Sequence, residues 1–238
     1  MWFFRPPPPP INLGAELTVE LHNHVLPGLD DGAKTVEEAI QMIFFWAEMG
    51  YQKVITTPHI GATFRPSSHQ IEETHSRLCQ HLQEQEIPIF LTAAAEYLLE
   101  AELKADLTAL RAFGPKRHLL IEFGFWILPP RWQELTFALQ SAGYTIVIAH
   151  PERYEFATRE LLRSWYEQGF YLQLNLLSLV GYYGKAALQR AEYLLEKGWV
   201  HFVGSDMHSP SQIAPLRKAL QHKTLRRRFS TFLNPSLL

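Results

Sequence analysis

The chain has a single cysteine, Cys79, and with no second thiol it forms no internal disulfide, so nothing in it calls for an oxidising compartment. Cys79 also lacks an arginine six residues on, because that position is Gln85, which argues against a thiol nucleophile working over a phosphate loop. A glycine-rich phosphate motif of the Walker type is absent as well. No stretch approaches the roughly 20 apolar residues of a membrane-spanning helix, so no membrane insertion is expected. Nor is there an excess of positive charge: 22 basic against 24 acidic residues leave a net charge of -2, too little basic field to hold a polyanion, and nucleic acid is not an expected partner. Met1 to Arg5 run straight into Pro6 to Pro10, with no room for the apolar core of an export signal. A cytoplasmic location is the simplest expectation.

What is present suits one large domain. The 238 residues, 47% of them apolar, are enough for a single core of the size that α/β barrels commonly have. The proline run favours an extended, solvated spacer, so residues 1–16 are read as an N-terminal arm and 17–238 as the domain. Seven short runs rich in β-formers are spaced along the domain: Leu17 to Leu21, Lys53 to Thr57, Ile89 to Ala94, Leu119 to Phe123, Thr145 to Ala149, Tyr171 to Leu174 and His201 to Gly204. Stretches of helical spacing lie between them, such as Val36 to Met49 and Ala186 to Lys197, which Gly50 and Gly198 terminate. The alternation predicts βα units around a parallel sheet. From about Arg226 the chain carries no motif and is expected to be a terminal helix or a frayed tail.

The chemistry sits where these strands end. The first runs into His22-Asn23-His24, followed by Asp30-Asp31-Gly32; in an extended segment alternate residues share a face, so both imidazoles can address one ion. A lone His-x-His is a weak signal. Here the second strand ends in His59, the third in Glu96, the fourth in Glu122, the fifth in His150, and the seventh in Asp206 and His208. Strand ends of a parallel barrel converge on one face. His22, His24, Asp31, His59, Glu96, Glu122, His150, Asp206 and His208 are therefore the candidate metal ligands; gathered without cations they would leave a costly concentration of buried charge. Nitrogen and carboxylate donors without thiolate admit manganese, iron or zinc. His69, His75, His81, His118, His201 and His222 follow no strand end and receive no role; the first three fall in a polar helical stretch and are expected to be exposed.

These segments resemble the PHP superfamily, named for polymerase and histidinol phosphatase. Within it, the string from His22 to Lys34, with Thr56-Thr57-Pro58-His59, Glu122-Phe123, His150-Pro151-Glu152-Arg153-Tyr154 and Ser205-Asp206-Met207-His208, is similar to the bacterial capsule and exopolysaccharide tyrosine-protein phosphatases. So is the string around Leu174 to Leu179 with Gly181-Tyr182-Tyr183-Gly184-Lys185, to which no chemistry is assigned. Glu20 departs from the pattern, standing where an Asp commonly precedes the His-x-His. The resemblance implies a distorted (β/α)7 TIM-like barrel holding two or three divalent ions, manganese foremost. It further implies one ion on His22, His24, Glu96 and Asp206, a second on Glu96, Glu122 and His150, and a third on Asp31, His59 and His208.

The activity so implied is metal-dependent hydrolysis of phosphotyrosine, on a protein substrate that is itself a bacterial tyrosine kinase of polysaccharide assembly. Metal coordination lowers the pKa of water from about 15.7 towards roughly 7, which makes a nucleophile at neutral pH. The phenolate leaving group, with a pKa of about 10, needs little help from an acid. Asp206, His208, Arg153 and Arg65 are the candidate catalytic residues, the two arginines as phosphate clamps, with Arg153 first because it follows His150 by three positions. Two rival readings stand beside this: a small-molecule phosphatase of the histidinol phosphate type, and a non-catalytic module that keeps metal for structure.

Overall fold

A computed structural model describes residues 17–99, 107 and 109–237; the arm read over 1–16 lies outside the described residues. The β-forming runs pair in parallel throughout, as βα units require. The strands are β1 (Val19–Glu20), β2 (Lys53–Thr56), β3 (His59–Ile60), β4 (Phe90–Ala93), β5 (Glu96–Leu98), β6 (His118–Glu122), β7 (Thr145–Ala149), β8 (Tyr171–Asn175) and β9 (Phe202–Gly204). They form a sheet of order β1-β2-β4 and a second of order β3-β5-β6-β7-β8-β9.

Nine strands occupy seven positions, because two of the expected runs, Lys53 to Thr57 and Ile89 to Ala94, are each followed after a short break by a second strand beyond the expected bounds. Pro58, which has no N–H to donate, separates β2 from β3. Asn23 takes over at that break: its carbonyl accepts from Thr57 N at 2.9 Å and its side-chain amide donates to Ile55 O at 3.1 Å. β4 and β5 divide opposite it, with Ala94 N on Thr56 O and Glu96 N on Pro58 O carrying the ladder across. β1 is shorter than expected, since Thr18 is in the left-handed region at φ 45°.

The barrel closes between β9 and β1 through Asp206 N to His22 O at 2.7 Å and His24 N to Met207 O at 2.9 Å. Below these bonds, Asn234 fills the seam with its side chain: the amide donates to Val19 O and Val203 O at 3.0 and 2.7 Å, and its oxygen accepts from Val203 N at 3.0 Å. This corrects the expectation of a frayed or merely helical tail. After the short helix at Lys223–Arg226 the chain folds back, with Phe229, Phe232, Asn234 and Leu237 buried, and Leu237 packs with the barrel interior.

Alternation along the strands divides the apolar residues into two layers. Leu120, Val147, Ala149 and Phe202 meet inside the barrel, whereas Leu119, Ile121, Ile146 and Ile148 face outward onto the helices. The helix α1 (Val36–Glu48) presents Ala39, Met42, Ile43 and Trp46 to that outer layer, capped by Thr35 and stopped by Gly50 at φ 84°. The helices α2 (Ser68–Glu84), α3 (Trp132–Ser141), α4 (Arg159–Glu167) and α5 (Lys185–Lys197) follow in turn. On α2, His75 is half-buried rather than exposed, because its Nε2 reaches Leu91 O at 3.1 Å, and His81 is half-buried too.

Candidate metal centre

Nine side chains gather at the carboxyl ends of the strands, and four of them define a centre. Nε2 of His22 lies 3.1 Å from Glu96 Oε2 and 3.4 Å from Asp206 Oδ1; Nε2 of His24 lies 3.4 and 3.3 Å from the same two oxygens. All four atoms are buried, and none has a hydrogen-bond partner. An unpaired buried polar atom costs about 1–3 kcal/mol, so four converging on one point need something between them. The donor set of two imidazoles and two carboxylates fits a divalent cation of the manganese, iron or zinc type.

The other ring nitrogens explain why these atoms face inward. His22 Nδ1 is 2.8 Å from Gln173 Oε1, and His24 Nδ1 is 2.8 Å from Asp30 Oδ2. Each acceptor holds the proton on Nδ1 and leaves the Nε2 lone pair free, the arrangement usual for ligating histidine. Asp30 also accepts from Gly32 N and His59 N at 2.9 and 3.0 Å, and His24 with these donors holds its carboxyl far below the usual range despite burial. Glu20, fully enclosed, accepts from His22 N at 2.9 Å and from Ser205 N at 3.0 Å; burial outweighs those bonds and pushes its pKa up to about 7.

The cluster as a whole favours positive charge at its middle. Burial opposes a proton on His22, yet Glu96 and Asp206 outweigh it and push the pKa up to about 9. His24 is raised well above its ordinary value against burial by Asp206, Asp30 and Glu96, and the two carboxylates are held well below theirs by the histidines.

Two further groupings adjoin this centre. His59 spans them, with Nδ1 at 3.2 Å from Glu96 and 3.1 Å from Glu122, and Nε2 at 3.6 Å from Asp31. His208 Nε2 lies 3.5 Å from the same Asp31 oxygen, and His24 joins this second group. His150 Nε2 is 3.1 Å from Glu96 Oε1 and 3.7 Å from Glu122. The geometry thus places His59 beside the Glu96–Glu122 pair as well as beside Asp31, whereas the resemblance assigned it to the third ion alone.

Backbone strain is concentrated at the same place. His150 and Asp206 both take positive φ, 32° and 51°, in a region that non-glycine residues rarely occupy. Close packing is required too. A Cβ on Gly204 would come within 2.7 Å of His22 Cβ, and one on Gly32 within 2.1 Å of His24 O.

Arg153 is brought to the cluster and Arg65 is not. The Arg153 guanidinium donates to the outer oxygen of Asp206 and lies over the Tyr183 and Phe125 rings at 3.9 and 4.7 Å. Arg65 is exposed and its Nε donates to Gly61 O at 3.0 Å. The string left without chemistry has a place here: Asn175 Nδ2 donates to Asp206 Oδ2 at 3.1 Å and to the Tyr183 hydroxyl at 3.3 Å. Buried Glu152 anchors that string by accepting from Asn175 N at 3.0 Å and Ser178 Oγ at 2.7 Å. Gln173, Asn175, Asp30 and Glu152, which orient the ligands or the string beside them, are the residues that reading strand ends misses. The signal for the first two is polar side chains at alternate positions of a strand whose neighbours in a parallel sheet bury both faces.

Residues 18–233 match the family model described as capsular polysaccharide synthesis, CpsB/CapC. The chain is 31% identical over 196 residues to the tyrosine-protein phosphatase YwqE of Bacillus subtilis, an alignment covering 80% of this chain and 77% of that one. It is 27% identical over 204 residues to the tyrosine-protein phosphatase CpsB of Streptococcus agalactiae, covering 80% and 83%. A solved structure from YwqE of Bacillus subtilis and CpsB of Streptococcus pneumoniae, described as unique metal-dependent tyrosine phosphatases, superposes with a TM-score of 0.81 at 30% identity over 92% of this chain and 90% of that one. The inactive dihydroorotase-like domain of a Chaetomium thermophilum protein, at 10% identity and a TM-score of 0.53, shares the fold.

Proposed function

The chain belongs to the CpsB/CapC family of capsular polysaccharide synthesis, and on that premise we propose that it is a metal-dependent tyrosine-protein phosphatase working at the His22–His24–Glu96–Asp206 centre and its two neighbours. The observation that carries the assignment to these residues is the convergence of four buried polar atoms with no hydrogen-bond partner. His22, His24, Glu96 and Asp206 would hold a divalent ion, which when bound would acidify a water and offset the charge of phosphoryl oxygens.

The chain's own groups do the rest. Gln173 and Asp30 hold His22 and His24 in the tautomer that presents Nε2. Asp206 turns one oxygen to the centre and the other to Arg153 and Asn175, so Arg153 stands at its edge with further N–H groups able to receive a phosphoryl oxygen. The mechanism needs no strong general acid, because a tyrosine phenolate with a pKa near 10 departs with little proton assistance. Manganese is the proposed ion and a tyrosine kinase of capsule assembly the proposed substrate. Among the described residues no helix is long and apolar enough to cross a membrane.

The test is hydrolysis of a phosphotyrosine peptide beside a phosphoserine peptide and histidinol phosphate, with metal-stripped protein resupplied with manganese, iron or zinc. Metal-dependent preference for phosphotyrosine is expected, and His150→Ala should abolish it while leaving the circular dichroism spectrum unchanged. Preference for histidinol phosphate, or turnover that survives the substitution, would refute the reading.

A further inference from the structure

Two phenylalanines are stacked on histidines of the cluster and take part in neither layer of the core. Phe64 lies on the His59 ring, centroids 6.0 Å apart and 16° from parallel; Phe125 lies on the His150 ring at 5.8 Å and 29°. Each is partly exposed, and neither belongs to an apolar cluster among the described residues. Phe125 also meets the buried Tyr154 ring, centroids 6.1 Å apart, yet it stays 36% exposed, so burial in the core does not account for a large aromatic at either position.

Their placement relative to the carboxylates gives a reason. β3, β5, β6 and β7 are neighbours in that order, so Glu96 and Glu122 lie between His59 and His150. The distances agree: His59 Nδ1 is 3.2 and 3.1 Å from the two carboxylates, His150 Nε2 3.1 and 3.7 Å. The carboxylate pair is thus flanked by two imidazoles, and each imidazole is backed by a phenyl ring. The backbone at each position is tied down. Phe125 O accepts from Glu155 N at 2.9 Å and its face carries the Arg153 guanidinium, while Phe64 O accepts from Gly61 N at 2.8 Å.

A phosphate monoester whose phosphoryl oxygens are drawn to this cluster and to Arg153 must direct its ester substituent outward, past these rings. Every phosphate monoester satisfies the ligands equally, so the ligand set does not distinguish a tyrosyl from a seryl ester. We infer that Phe64 and Phe125 are the walls of an aryl slot that adds a binding preference for an aromatic phosphate ester to the one its leaving group supplies, an inference that rests on the phosphotyrosine reading and names the residues that carry that binding selectivity.

The experiment compares kcat/KM for phosphotyrosine and phosphoserine peptides of one sequence, and for phenyl and ethyl phosphate, in manganese-loaded wild type, Phe64→Leu, Phe125→Leu, the double variant and Phe125→Tyr. Leucine keeps the bulk and removes the π face. The aryl-to-alkyl ratio should fall about fivefold for each leucine and about twentyfold for the pair, with Phe125→Tyr within about twofold of wild type. Calorimetric affinities for phenylphosphonate against methylphosphonate, which involve no turnover, should shift by the same ratio. Equal losses on aryl and alkyl substrates, or an unchanged phosphonate ratio, would overturn the slot and leave the phosphatase assignment standing. Failure of the wild type on phosphotyrosine with every metal would overturn the assignment itself, and the slot with it.

Discussion

Replacing Gln173 with leucine should weaken metal binding without touching a ligand. Gln173 is fully buried in the middle of β8, and its Oε1 accepts from His22 Nδ1 at 2.8 Å and from His150 N at 3.3 Å. Leucine is close in volume and offers no acceptor. His22 then loses the group that keeps its proton on Nδ1, and removal of such an orienting partner costs about tenfold to a hundredfold in metal affinity. The His150 N–H is left buried without a partner as well, a penalty of about 1–3 kcal/mol that acts on the fold whether or not metal is bound. The two effects separate by assay. Chelator competition with manganese gives the affinity, and urea unfolding of stripped protein gives the stability. Affinity within about twofold of wild type, together with the expected loss of stability, would show that Gln173 is structural packing and that the tautomer argument is wrong.

Two further outcomes test the barrel itself. Asn234→Leu removes all three hydrogen bonds that bridge β1 and β9 below the site, and leaves Val19 O and both polar groups of Val203 unpaired; a loss of about 2–4 kcal/mol in urea unfolding is expected, and a loss below about 0.5 would deny the seam any role. His118 is buried between Phe113, Tyr171 and Phe202, with neither ring nitrogen hydrogen-bonded, and burial pulls its pKa down to about 4. Because the unfolded chain takes up that proton first, near pH 6.5, the contribution is complete above 6.5 and is lost as pH falls towards 4, by roughly 1–3 kcal/mol. The stability difference between wild type and His118→Phe should therefore change across that window, and a difference flat from pH 7 to 4 would contradict it.

The parts of this molecule that sequence made visible are those whose chemistry is local. A metal-capable residue directly after a β-rich run is a statement about neighbours in the chain, and His22, His24, Glu96 and Asp206 could be gathered on one face by the barrel rule alone. The strand positions followed for the same reason, since each run carries its own propensity and its own stop. What stayed hidden depends on contacts distant in sequence. Gln173 meets His22 across 151 positions, Glu20 meets Ser205 across 185, and Asn234 meets Val19 across 215. No window of neighbouring residues contains such a pair. The split of two strands was hidden differently: Pro58 is a visible breaker, but only Asn23, three residues past the end of β1, makes the break tolerable.

The inward-facing residues show how one tube holds both a core and a charged site. Read from floor to mouth, β6 presents His118, Leu120 and Glu122; β8 presents Tyr171, Gln173 and Asn175; β9 presents Phe202 and Gly204, and Asp206 follows. Each strand begins among aromatic rings and ends in a group that binds or orients. The transition is abrupt because the period is two: a slip of one residue in β8 would put Leu172 and Leu174 against the histidines and turn Gln173 outward into the helix layer. Gly204 enforces the register from the other side, since any larger residue there would collide with His22 and Gln173 together. The apolar floor, sealed by Leu237, supplies stability, and it is on that foundation that the mouth can hold unpaired nitrogens and oxygens and two left-handed residues, His150 and Asp206.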